Sequence, residues 1–222
     1  MAARPATLKT VLFMGSAKDI IPPWGGPSRL GNGLLEWAKS EISKRSAEGI
    51  THEVTVYDPI EIFGKGGALE SSGAEIRTPH HFFKSGEAPE GMEAMAKTIK
   101  EADCYLVITP EYNHSLPPAL SGLMGHFGGS NYAYKPSGII TYSPSPYGGA
   151  RAAVALRPFL SELGCLPVST MACFSMVGDI FEQDGSVKDE NNRQLKQLDG
   201  LLDQLEWWAV ACANQRDACG VP

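Results

Sequence analysis

Apolar strand-like runs and helix-spaced segments alternate along this chain, and that alternation limits the possible folds more than any other feature of the sequence. Residues 10–14 read as a buried strand. Leu34, Leu35, Ala38 and Ile42 then recur at helical spacing through Lys44, with Lys39, Glu41 and Arg45 on other faces. Val54 and Val56 alternate with polar neighbours over 52–57, and Met92, Met95, Ala96 and Ile99 mark a short helix over 92–100. A strand at 103–109 leads into a helix expected to start at Ser115, to hold Pro117 and Pro118 in its first turn and to stop at Gly128-Gly129. Next come a strand at 137–142, a helix at 149–163 and a strand region at 166–177. A last amphipathic helix carries Leu195, Leu198, Leu201, Leu202, Leu205 and Trp208 on one stripe. Parallel neighbours cannot be joined by a tight turn, so the pattern predicts an α/β fold: a doubly wound five-stranded parallel sheet, order 2-1-3-4-5, covered on both faces. In that order the ligand crevice lies at the carboxyl ends of the first and third strands.

The length of 222 residues suits one domain spanning 1–222, with no internal repeat or linker. With 43% hydrophobic and 20% charged residues the composition is globular, and no apolar run approaches the roughly 18 residues a bilayer span requires. The apolar run after residues 1–10 is too short for a signal-peptide core, so a cytoplasmic location is expected. The five cysteines, Cys104, Cys165, Cys173, Cys212 and Cys219, form an odd set without a CxxC pair and read as reduced and mostly structural. A net charge of -6 without a dense Lys/Arg block argues against nucleic acid or an anionic membrane as partner. The Gly- and Ser-rich stretch 58–90 is long for a connection inside a compact domain; it is either a functional loop or conceals short elements.

Three strand-end loops carry the candidate chemistry. After Met14 the chain reads Gly15-Ser16-Ala17-Lys18, makes a Pro/Gly-rich excursion over 20–27, and reaches a helix start at Ser28-Arg29-Leu30-Gly31-Asn32-Gly33. Glycine amides, the neutral donors Ser16, Ser28 and Asn32, the cations Lys18 and Arg29 and a helix N-terminus together suit a phosphate; equally, they suit a turn with a polar helix cap. The second loop, Pro110-Glu111-Tyr112-Asn113, would offer backbone amides to the edge of a planar ring and Tyr112 to its face, or is simply a polar turn. The third runs from Ser143 through Tyr147, Gly148 and Gly149, with Arg151 in the next helix's first turn; its plain alternative is an ordinary strand-to-helix connection. GxxxxGK[ST], GxGxxG after the first strand and GxSxG are all absent. His80-His81 point in different directions and no further ligand stands at metal spacing, so no metal site is expected.

Taken together, "FMGSAK" with "SRLGNGLLEWA", "ADCYLVITPEYNHSLPPAL" and "YSPSPYGGARAAVALRPFLSELGCLPV" resemble the NADPH-dependent FMN reductase family, which includes flavodoxin-like quinone, azo-dye and chromate reductases. The resemblance implies that Ser16, Lys18, Arg29, Gly31 and Asn32 bind the FMN phosphate. It implies that Pro110, Glu111, Tyr112 and Asn113, with Ser143, Tyr147, Gly148 and Gly149, bracket the isoalloxazine ring. Lys18 stands where the family commonly has arginine, the first loop is much longer, and Leu120-Ser121-Gly122-Leu123-Met124-Gly125 replaces the usual LKNALD. The 20–27 insertion leaves the phosphate assignments open by a few positions, and the altered helix bears on contacts it would make to the cofactor or to a second subunit.

By the same resemblance, the activity is FMN-dependent electron transfer from NADPH or NADH to a small acceptor (a quinone, free flavin, azo compound or metal oxyanion) by a ping-pong mechanism, without a dedicated catalytic side chain. A homodimer or homotetramer is implied, and Tyr132, Tyr134 and Trp208 look exposed enough to serve it. The competing readings are a flavodoxin-like electron carrier or FMN-binding module, and a member that has lost FMN.

Overall fold

The computed structural model describes residues 7–222. The expectation about residues 1–10 therefore falls largely outside the described residues. Strands β1 (Thr7–Met14), β2 (Thr51–Tyr57), β3 (Cys104–Pro110), β4 (Lys135–Tyr142) and β5 (Cys165–Phe174) form one sheet in the order β2-β1-β3-β4-β5. Every adjacent pair is parallel, as the alternation predicted. The helices are α1 (Gly31–Lys44), the single turn α2 (Pro59–Ile62), α3 (Glu90–Glu101), α4 (Pro118–Gly125), α5 (Ala150–Glu162) and α6 (Lys196–Cys219).

Side-chain alternation along the central strands builds two cores. Leu8, Leu12 and Met14 of β1 and Leu106 and Ile108 of β3 face α1 and α6, meeting Leu34, Ala38, Leu201 and Leu205. Val11, Phe13, Tyr105 and Val107 face the other way, against α3, α4 and α5, with Met95, Ile99, Leu123 and Leu156 among their partners. Strands buried on both faces are required wherever helices cover both sides: β3 is an apolar run without polar alternation, and β4 is buried along its whole length although Lys135, Ser137 and Thr141 lie in it.

Several boundaries differ from those the sequence suggests. The helix after the central loop starts at Pro118, not Ser115, because Tyr112 and Ser115 close a two-residue turn through both backbone bonds, Tyr112 N to Ser115 O at 3.1 Å and Ser115 N to Tyr112 O at 2.9 Å. Asn113 and His114 inside that turn take φ of 50° and 63°, the pair of positive values that a tight primed turn demands. That helix stops at Gly125, and α6 runs on past Trp208 to Cys219. The long stretch 58–90 conceals two short elements, α2 and a 3-10 turn at His80–Phe82. Tyr132, expected at the surface, is fully buried against Phe13 and Tyr105, its hydroxyl donating to Met124 O at 2.9 Å; Tyr134 and Trp208 are exposed as expected. All five cysteines are free thiols, and among the described residues no helix is long and apolar enough to cross a membrane.

One buried histidine holds the 58–90 stretch against α4. His126 Nδ1 donates to Gly122 O at 2.5 Å, and Nε2 accepts from the Ser72 hydroxyl at 2.7 Å. Burial holds the imidazole below its ordinary 6.5, only partly opposed by the bond to Gly122. Below 6.5 the unfolded chain then binds the proton more readily, so stability is full above that value and falls as pH drops toward the depressed folded value. Urea midpoints are expected to fall between about pH 7.5 and pH 5.5, and His126→Gln is expected to flatten that fall while lowering the midpoint at the higher pH.

Candidate active site

The carboxyl ends of β1, β3 and β4 lie side by side, Met14 opposite Ile108 and Pro110 opposite Tyr142, and the expected crevice is the rim they share. Gly15 continues the ladder with its amide on Ile108 O at 2.8 Å, and places Ser16 beside the β3 loop. The Ser16 hydroxyl meets Tyr112 Oη at 3.0 Å and also accepts from Lys18 N at 3.3 Å. The first two loops are therefore in direct contact across a separation of 96 residues.

Arg29 closes the first loop on itself. Its Nη1 donates to Ser16 O at 2.8 Å and its Nε to Asn32 Oδ1 at 2.7 Å. Nη1 also reaches Asp58 Oδ1 at 2.8 Å, and Nη2 pairs with Asp58 Oδ2, so the guanidinium is forked onto a carboxylate at the end of β2. Burial opposes the charge on Arg29, and the Asp58 hydrogen bond and charge outweigh it, raising the pKa. Resemblance alone would give this arginine to a phosphate; in the structure it sits behind the loop and holds it. Lys18, by contrast, is exposed at the loop's start.

Packed against the start of α1 stands Tyr142, the last residue of β4 and buried. A Cβ at Gly31 would lie 2.3 Å from the Tyr142 hydroxyl, so only glycine lets α1 start this close to the strand. The first turn of α1 contains no acidic residue, and no side chain caps it. The positive end of the helix is consequently left without a side-chain anion of its own.

The β4 loop is fixed from two sides. Thr141 Oγ1 donates to Gly148 O at 2.8 Å, while Ser143 receives Val177 N on its carbonyl at 3.1 Å and its hydroxyl lies 2.6 Å from that of Ser145. Gly148 and Gly149 take φ of 61° and 75°. Glu111, from the β3 loop, accepts Arg151 N at 3.1 Å and Arg151 Nε at 2.6 Å. Its carboxylate thus caps α5, where Gly149 has no side chain to offer, and Arg151 lies over the Tyr147 ring at 4.8 Å. The Glu111 side chain is turned toward α5, and the Tyr112 side chain beside it is exposed.

Burial works against ionising Glu111, but the Arg151 bonds prevail and hold its carboxyl below the ordinary 4.5. A depressed carboxyl contributes stability above the unfolded value and loses it as pH falls through the folded one. Glu111→Ala is expected to cost about 1–2 kcal/mol near neutral pH, the range for a lost helix cap. In parallel urea titrations the gap from wild type is expected to shrink below about pH 4.5.

Sequence reasoning named the three loops and missed the residues they pack on: Asp58, paired with Arg29, Tyr142, against Gly31, and Thr109, whose side chain fills the space a Cβ at Gly15 would need. Tyr142 and Thr109 carried a usable signal, since each ends a predicted strand at the crevice. Among the described residues no group of three or more metal-ligating side chains occurs. A groove of about 850 Å³ lies between the start of β5 and the end of α6, lined by Cys165, Leu166, Trp208 and Cys212. It is at the amino ends of the strands and has no connection with the loops just described.

The family described as NADPH-dependent FMN reductase matches this chain over residues 8–177. A quinone reductase of Pseudomonas putida is 27% identical over 126 residues, covering 54% of this chain and 66% of the relative. A quinone reductase of Escherichia coli K12 is 32% identical over 122 residues, covering 53% and 62%. The chain thus spans just under two thirds of the length of these curated relatives. Among solved structures, the flavoenzyme NAD(P)H:(acceptor) oxidoreductase FerB from Paracoccus denitrificans superimposes with a TM-score of 0.61 at 22% identity, over 90% of this chain and 98% of that one. This likeness is one of fold.

Proposed function

The chain belongs to the NADPH-dependent FMN reductase family, and on that premise we propose that it acts as one FMN-binding domain passing electrons from NADPH or NADH to a small-molecule acceptor, with substrates taken in ping-pong order. The observation that carries this reading is the joining of three strand-end loops at one rim, through Ser16 to Tyr112 and Glu111 to Arg151.

The residues present fit the cofactor. The uncapped first turn of α1, with Gly31 and Asn32, and the Ser16 loop with exposed Lys18 would hold the phosphate. Arg29 contributes from behind, by fixing Ser16 and Asn32. The 110–113 backbone, Tyr112, Ser143, Tyr147, Gly148 and Gly149 would border the flavin ring. When bound, FMN supplies hydride acceptance from the nicotinamide and onward electron delivery. The protein's share is orientation: the turn at 112–115 holds Tyr112 at the rim, and the α5 cap fixes the opposite wall. No side-chain acid or base is assigned to the chemistry.

The quinone reductases among the relatives favour a quinone as acceptor, and a cytoplasmic homodimer or homotetramer is part of the same proposal. Reconstituted protein is expected to be yellow, to bleach on anaerobic mixing with NADPH, and to give parallel double-reciprocal plots with a quinone. Colourless protein would overturn the cofactor assignment; yellow protein that NADPH cannot bleach would leave the electron-carrier reading standing instead.

A further inference from the structure

Between Ser16 and Arg29 the chain leaves the crevice and returns to the same point, its neck closed by Arg29 Nη1 on Ser16 O at 2.8 Å and joined to the central loop by the Ser16 to Tyr112 contact. A compact excursion whose ends meet at a binding site is an Ω-type loop, a frequent carrier of function. Its tip is a turn closed by Gly25 N on Pro22 O at 2.9 Å, with Pro23 and Trp24 in the middle. Proline there pre-sets the turn, so the loop presents its side chains from a stiff support.

Those side chains face water. Ile20 is 69% exposed, Ile21 71% and Trp24 87%, in a stretch, 20–27, without a single charge. Three large apolar residues grouped on one uncharged loop are an exposed patch of the kind that marks a contact site. The patch is too small for a stable subunit interface, which recruits about 20–30 residues a side. The crevice rim adds exposed Tyr112 and Tyr147, giving aromatic surfaces on the neighbouring loops. A hydrated oxyanion gains nothing from tryptophan and isoleucine; a flat uncharged ring does.

We infer that the 20–27 loop is the acceptor-selecting element, and that Trp24, with Ile20 and Ile21, covers a planar, uncharged aromatic acceptor of the quinone class at the crevice. This rests on the flavin-reductase reading and adds to it the residues that select the acceptor. The loop is not required for the cofactor, whose binding groups lie at and behind its neck.

The test uses FMN-loaded full-length protein with two acceptors, uncharged menadione and the hydrophilic anion ferricyanide. Trp24→Ala is expected to lower kcat/KM for menadione about tenfold, mainly through KM, and to leave ferricyanide within about twofold. Trp24→Phe should recover most of the loss, and Ile20→Ser/Ile21→Ser should repeat the selectivity, with FMN affinity unchanged throughout. Equal losses with both acceptors, or an unchanged menadione KM, would overturn the inference. So would a drop in sedimenting mass of Trp24→Ala, which would make the patch a contact between copies of the chain. Failure of the underlying reading looks different: wild-type flavin would then not be bleached by NADPH at all.

Discussion

Asp58→Ala is expected to destabilise the protein by about 3–5 kcal/mol, the range for removing one partner of a buried ion pair, and to weaken FMN binding at the same time. Arg29 and Asp58 are 7% and 9% exposed and are joined at both ends of the guanidinium fork. Arginine cannot shed its proton, so without Asp58 it must keep an uncompensated charge out of water or swing away. Swinging away releases Ser16 O and Asn32 Oδ1, the two groups it holds at the loop's neck. Asp58 also caps α2 by accepting Ile60 N at 2.9 Å, a second loss on truncation. Asp58→Asn keeps an acceptor for that amide and is expected to cost less. The double change Arg29→Met/Asp58→Leu separates the two roles: apolar replacement of a buried pair is often neutral or stabilising, so the urea midpoint should largely return. FMN affinity, read by fluorescence quenching, should not, because nothing then holds Ser16 and Asn32. An Asp58→Ala protein within about 1 kcal/mol of wild type would show that the pair does not carry the loop.

The strand order was legible because strand-like runs alternate with helix-spaced segments, most plainly around the apolar run at 104–110; β4 at 135–142 carries Lys135, Ser137 and Thr141 and is apolar only near Ile139-Ile140. The three loops were legible for the same reason, since each begins where such a run stops. What the sequence hid was which side chain answers which. Arg29 reads locally as a cation beside a helix start, and only the fold brings Asp58 to it from 29 residues away. Glu111 reads as a crevice carboxylate, yet its partner is 40 residues on, in the first turn of α5. Tyr132 sits in the polar-looking segment 129–135, and its burial depends on Phe13 and Tyr105 from two other strands. The misplaced start of α4 has a local cause: Ser115 before Pro117 and Pro118 reads as a helix cap, whereas Asn113 and His114, both in the left-handed region that non-glycine residues seldom adopt, close a turn that takes up Ser115.

Gly15→Ala is the substitution expected to damage the cofactor site most directly. A Cβ at Gly15 would lie 2.1 Å from Thr109 Oγ1, 2.4 Å from Thr109 Cβ and 3.0 Å from Thr109 Cα. Rotating the threonine moves only the first of these, so β1 and β3 must separate at their carboxyl ends or the Ser16 loop must lift. Overpacking of this kind costs about 1–3 kcal/mol. The loss in binding should be larger than the loss in stability, because the strain falls where the first two loops meet, and displacing a positioned group by about 1 Å can cost on the order of 100-fold. Thr109→Ala cannot relieve the clash, since its Cβ remains at 2.4 Å. Thr109→Gly removes both side-chain contacts and leaves only the 3.0 Å approach to the Cα, so Gly15→Ala/Thr109→Gly is expected to bind FMN better than Gly15→Ala alone, although glycine in the strand itself lowers stability by about 0.5–1 kcal/mol. A rescue by glycine but not by alanine would assign the effect to that single close approach. Normal FMN affinity in Gly15→Ala would instead mean that the β1 loop can move away from Tyr112 without consequence, and a phosphate cradle anchored at Ser16 would then be untenable.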